Sequence, residues 1–120
     1  MRRALVAGNW KMHGSAAQVS EVLTALRESL GGGVDGVDVV VCPPAPYLDR
    51  AQELLRDSAV QLGGQNVWYE SSGAFTGEIS PAMLTDFRVR YVLTGHSERR
   101  QWFGEDDALV ARKFMAIRDS

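Results

Sequence analysis

Two short segments of this chain combine residue types that could do chemistry. Thr94-Gly95-His96-Ser97-Glu98-Arg99-Arg100 follows the apolar run Val89-Arg90-Tyr91-Val92-Leu93, which reads as a buried strand turning into a helix. In parallel α/β proteins that strand end is where ligands bind and catalytic groups collect. Gly8-Asn9-Trp10-Lys11-Met12 ends an earlier strand in the same way. Alternate strand residues point the same way, so Leu5, Ala7, Asn9 and Lys11 are expected on one face, and Val92, Thr94 and His96 on one face of theirs. If both faces line one concavity, an amide, a cation and an imidazole converge at its mouth. That set suits a small, anionic, oxygen-rich substrate.

Each residue also has a plainer reading. A lysine after a strand is usually solvated, a lone histidine at a strand end is usually a hydrogen-bonded structural residue, and Asn9 could be a turn former. The joint pattern at matching ends of two strands favours function. Ser97-Glu98-Arg99-Arg100-Gln101 reads as the start of a helical turn beneath His96. A positive helix end disfavours imidazolium, which leaves a neutral donor.

The elements that must carry these residues alternate regularly. Strand patterns cover Ala4–Asn9, Val37–Cys42, Val60–Gly63 and Tyr91–Thr94. The second, Val-Asp-Val-Val-Val-Cys, has the texture of a parallel strand covered on at least one face. Val19, Val22, Leu23, Leu26 and Leu30 follow helical spacing before a stop at Gly31-Gly32-Gly33. Leu48, Ala51, Leu54 and Leu55 share a second helical face. Ser80-Pro81 is a helix-start signal, Ser as N-cap and Pro at the first helical position. A last helix opens with Glu105-Asp106-Asp107, whose charges suit a positive helix end, and carries Val110, Phe114 and Ile117 on one face.

The order is therefore (βα)4, expected as a single domain over residues 1–120. Right-handed crossovers lay successive strands side by side with the helices outside. Pattern alone leaves two architectures open, half of a closed eight-stranded barrel or an open flavodoxin-like sheet.

Composition narrows the function classes. With 120 residues, 45% hydrophobic and 23% charged, and a net charge of −2, the chain reads as globular. No basic stripe with interleaved aromatics suggests nucleic acid. Met1-Arg2-Arg3 before Ala4-Leu5-Val6-Ala7 faintly resembles a leader, but the apolar part ends at Gly8-Asn9, short of the ~7–15 residues required. No run approaches the ~18–20 apolar residues of a membrane span. The lone Cys42 excludes an internal disulfide and suggests a reducing, cytoplasmic setting.

Four segments together resemble the triosephosphate isomerase family. They are Gly8-Asn9-Trp10-Lys11-Met12, Gly64-Gln65-Asn66-Val67, Gly73-Ala74-Phe75-Thr76-Gly77-Glu78-Ile79-Ser80 and Gly95-His96-Ser97-Glu98-Arg99-Arg100. They stand in the family's order and approximate spacing. The resemblance implies the first four βα units of a TIM barrel, and interconversion of dihydroxyacetone phosphate and glyceraldehyde 3-phosphate through an enediolate. By position in the motifs, His96 becomes the neutral electrophile that polarises the carbonyl. Lys11 supplies positive charge to substrate and oxyanion, and Asn9 hydrogen-bonds substrate. Ser97 and Glu98 belong to the supporting polar network, and Thr76 is the residue expected to reach a partner subunit. No cofactor and no metal are implied. This family is the usual illustration of a neutral histidine beside a glutamate base, so that expectation for His96 is not independent of the resemblance.

The resemblance also has gaps. Family members continue past the position of Ser120 into a fifth strand, and no residue here matches their catalytic glutamate base, closing lid or later phosphate-gripping loops. A positioned base is typically worth ~10²–10⁴-fold in rate, so this chain alone is expected to be inactive or nearly so. Its first and fourth strands are expected as open edges, which favour self-association into a barrel-like homo-oligomer. The alternatives to an isomerase are therefore a self-associating half-barrel without catalysis, or a phosphate- or anion-binding module using Lys11 and His96. His13 stands where asparagine is common and reads as a loop residue. Arg88 stands where glycine is common, a costly choice if φ is positive. Cys42 is expected to pack as a small apolar residue.

Overall fold

The computed structural model describes residues 2–120; Met1 of the leader-like start lies outside them. Four parallel strands, β1 (Ala4–Asn9), β2 (Val37–Cys42), β3 (Gln61–Gly64) and β4 (Val89–Val92), lie in the order β1-β2-β3-β4. Strictly sequential order is that of a barrel segment, and it removes the flavodoxin-like alternative, whose order reverses at a switch point. The helices are α1 (Ala16–Leu30), α2 (Leu48–Leu54) after a 3₁₀ turn at Ala45–Tyr47, α3 (Pro81–Thr85), α4 (Ser97–Phe103) and α5 (Asp107–Arg118).

Local signals explain most boundaries. Ser15 and Ser80 cap α1 and α3, their hydroxyls accepting from the Gln18 and Met83 N–H groups, and Pro81 follows its cap as expected. Asp106 caps α5 by accepting from the Leu109 N–H. Glu105 does not join the helix start as expected: it is 4% exposed and turned inward. The same correction applies along α5, where Lys113 is 1% exposed and Phe114 is 57% exposed. A buried acceptor at Glu105 makes the inward lysine favourable there. Strand β3 begins one residue later than expected, since its pairing with β2 starts at Gln61 opposite Val40, and β4 begins two residues earlier, since Val89 already pairs with Leu62. Past Val92 the Leu93 N–H still reaches the Gly64 carbonyl, and Thr94 leaves the sheet.

The core lies on the helix-covered side. Val19 and Leu23 of α1, Leu48 and Ala51 of α2, Val41, Leu62 and Leu84 pack there, each large side chain contributing about 1.5–3 kcal/mol. On the concave side Val40, Cys42 and Gly63 meet. A Cβ on Gly63 would stand 2.5 Å from Cys42 Sγ, so only glycine fits beneath that thiol. Burial pushes the pKa of the Cys42 thiol up to about 11, which suits an inert, packed side chain. β1 differs from its neighbours: Ala4 to Gly8 are all exposed, with Leu5 at 52% and Val6 at 59%, so neither face is covered. The radius of gyration, 14.7 Å, exceeds the ~13.6 Å of a closed domain of this length, as an open half-shell should.

Candidate active site

Asn9, Lys11, His96 and Glu98 line one cavity of about 280 Å³ at the carboxyl ends of β1 and β4. The convergence expected from sequence is present, but strand alternation does not produce it. Val92 packs against the helix-side core, so continued alternation would carry His96 to that side too. Gly95, at φ +65°, turns the chain instead, and a Cβ there would lie 2.7 Å from Val110. Glycine is therefore required on both counts. Lys11 is likewise beyond its strand, at φ +54°. Its N–H donates to Asn9 Oδ1 at 2.9 Å, which fixes the turn and occupies that oxygen. The Asn9 amide NH₂ remains the donor for a ligand.

His96 is the N-cap residue of α4, and its Nδ1 accepts from the Glu98 N–H at 3.0 Å. That bond uses the Nδ1 lone pair and assigns the proton of a neutral ring to Nε2. Lys11 Nζ and Glu98 Oε1 lie 2.6 Å apart, and this hydrogen bond, together with the ammonium charge, holds the Glu98 carboxyl below its ordinary value. The pair is half-exposed, so Lys11 can exchange Glu98 for a ligand oxygen at small cost.

Two further lining residues, Gln65 and Asn66, are not among those the sequence singles out for a role in the site. Gln65 donates through Nε2 to the carbonyls of Lys11 (2.8 Å) and Cys42 (2.9 Å), pinning the Lys11 turn to the sheet. Asn66 accepts from buried Lys113 Nζ at 2.8 Å, which leaves its amide NH₂ for the cavity. Both follow β3 directly, so the strand-end rule applied to that strand would have found them. Behind them Glu105 Oε2 receives Lys113 at 2.7 Å and Arg99 at 2.5 Å. Desolvation pushes the Glu105 carboxyl up, but these two hydrogen bonds and cations outweigh it and hold it low.

Other expected residues stand apart. Ser97 is exposed at the first position of α4 and does not line the cavity. Thr76 sits in the exposed 71–78 segment, whose base is closed by the Trp68 N–H donating to the Ile79 carbonyl at 2.8 Å. His13 is an exposed loop residue. Arg88 does adopt the left-handed backbone that glycine would tolerate, at φ +59°. Among the described residues no three His, Cys, Asp or Glu side chains gather as a metal site, and no helix is long and apolar enough to cross a membrane.

Comparison with known proteins agrees with this geometry. A family model described as triosephosphate isomerase matches residues 4–120. The triosephosphate isomerase of Thiobacillus denitrificans is 53% identical over 116 residues, covering 97% of this chain and 45% of that protein. That of Vibrio vulnificus is 48% identical over 122 residues, covering 100% and 47%, and that of Carboxydothermus hydrogenoformans 50% over 116, covering 97% and 46%. The chain spans about half the length of the curated relatives it matches. With a strictly ordered half-barrel sheet, a Lys-Asn-His cavity at its carboxyl rim and a match over nearly every residue, the chain belongs to the triosephosphate isomerase family.

Proposed function

We propose that this chain supplies the electrophilic half of a triose phosphate isomerisation site. The substrates are dihydroxyacetone phosphate and glyceraldehyde 3-phosphate, interconverted through an enediolate. The observation that carries the reading is the shared cavity of Asn9, Lys11 and His96. In this reading His96 Nε2–H and the Asn9 amide donate to the substrate oxygens, and Lys11 balances the charge that develops on the enediolate. Preset donors of this kind commonly supply more of an enzyme's rate enhancement than any other single effect. Glu98 holds Lys11 in place, Ser97 opens the helix beneath His96, and Thr76 is the residue offered to a partner. No cofactor enters.

The proton-abstracting base is a separate matter. Glu98 is the one carboxylate lining the cavity among the described residues, and its hydrogen bond to Lys11 makes it a poor proton acceptor. The base therefore comes from residues other than these 120, and the chain alone turns over little or no substrate. An isomerase assay decides this. The chain alone is expected to be silent, and the chain mixed with a polypeptide carrying the other half of a family member is expected to gain activity that His96→Asn removes. Silence in the mixture, with both halves shown to associate, contradicts the proposal.

A second reading rests on β1. A strand bare on both faces and at one edge is a template for pairing, so two chains joining edge to edge would form a structural half-barrel dimer without catalysis. Light scattering at micromolar concentration separates the two, since a compact monomer excludes self-pairing. The lone buried Cys42 suits the reducing environment of the cytoplasm.

A further inference from the structure

A second cavity of about 280 Å³ lies at the other rim of the sheet, by the amino-terminal ends of β3 and β4. Its floor is apolar: Leu55 and Val60 are nearly fully buried and Phe87 is half-buried. Its rim is cationic, with Arg56, Arg88 and Arg90. Arg56 is held by Glu53 at 2.6 Å, whereas Arg88 and Arg90 enter no ion pair among the described residues. Asp57 also lines the cavity and offsets one of them, leaving a positive excess. The end of α2 would disfavour an anion here through its carbonyls. Arg27, reaching from α1, caps the Leu54 and Arg56 carbonyls and removes much of that penalty.

Backbone strain marks the same place. Three non-glycine residues adopt left-handed φ among the described residues: Lys11 at the first cavity, and Asp57 and Arg88, both at φ +59°, at this one. A long cationic side chain is kept where glycine would be relaxed, and strain of this kind concentrates at ligand sites.

We propose that this cavity binds a small amphiphilic anion, with an aromatic or aliphatic body against Phe87 and a carboxylate or phosphate gripped by Arg88 and Arg90. The guanidinium fork matches both head groups in a bidentate manner, and the floor requires an apolar body behind the charge. The site is separate from the His96 cavity, and its occupancy does not depend on isomerase activity.

Phenyl phosphate is the probe, titrated into isotope-labelled chain and followed by NMR. Saturable shifts are expected at Phe87, Arg88 and Arg90. Arg88→Gly and Arg90→Gln should each weaken this response by about tenfold, the loss expected for one charge-assisted contact. Lys11→Gly should leave it unchanged, which separates it from any binding at the other cavity. Arg88→Gly relaxes the backbone, so its fold is secure, and an unaltered affinity in that variant overturns the proposal. Equal binding of phenol would remove the role of the arginines, and equal binding of inorganic phosphate would remove that of the apolar floor. Absence of saturable shifts means that the arginines merely balance the helix ends, and also overturns it.

Discussion

Two lysine–glutamate pairs in this molecule have nearly the same contact distance and opposite physical roles. Lys11 and Glu98 stand 2.6 Å apart with side chains 50% and 42% exposed. Lys113 and Glu105 stand 2.7 Å apart with side chains 1% and 2% exposed. Water screens the first pair, so it is weak, exchangeable and available to a ligand. The second has lost its water and is fixed by Arg99 and Asn66. Its removal in part would strand a buried charge. Distance alone says nothing about role; solvent access decides it.

Breaking the buried pair should have the largest effect. Glu105→Gln leaves Lys113 charged and poorly compensated, and is expected to cost about 3–5 kcal/mol in urea unfolding. A cost below about 1 kcal/mol, the range of an exposed pair, would make the two pairs equivalent. Asn66→Leu removes one acceptor of the Lys113 ammonium and should cost about 1–3 kcal/mol by the same measurement, with stability recovered in Asn66→Gln only if the longer amide still reaches.

Acid titration sharpens the contrast. The Glu105 carboxyl is held below its ordinary 4.5 in the folded chain. Folding therefore gains from its ionisation above that value, and the gain disappears as pH falls through the lower, folded value. Thermal melts should show wild-type stability falling below about pH 4.5, and a flatter acid limb in Glu105→Gln. A parallel pair of curves would show that Glu105 contributes nothing to the acid response.

The exposed pair should respond weakly. Glu98→Gln is expected to leave the urea midpoint almost where it was, and added salt should erase any small difference. Lys11→Gly should stabilise the chain by up to about 1 kcal/mol, since glycine relieves a left-handed backbone, while anion binding at the His96 cavity falls. Stabilisation without any loss of binding would show that Lys11 is an ordinary solvated residue.

Much of this was legible in the sequence. The (βα)4 alternation was readable from apolar runs and helical spacing, but that pattern left a barrel segment and a flavodoxin-like sheet both open, and the observed order β1-β2-β3-β4 decides between them. Asn9, Lys11 and His96 could be named because strand ends concentrate such groups. The route by which they meet was not legible: alternation stops at Asn9 and Val92, and turns at Lys11 and Gly95 do the aiming. The buried cluster was missed for a different reason. Glu105 beside Asp106 and Asp107 looks like any acidic helix start, and Lys113 beside Phe114 gives no hint which one faces inward. Burial of a charge depends on partners far along the chain, and no local period reports it.

The most direct test is the ¹⁵N spectrum of the His96 ring at neutral pH, recorded with and without a phosphate-bearing enediolate mimic. An uncharged ring with its proton on Nε2, whose signal moves with the mimic in wild type but not in Lys11→Gly, is the expected result. A proton on Nδ1, or a ring indifferent to the mimic at saturating concentration, would contradict the proposal that Asn9, Lys11 and His96 act together on one ligand.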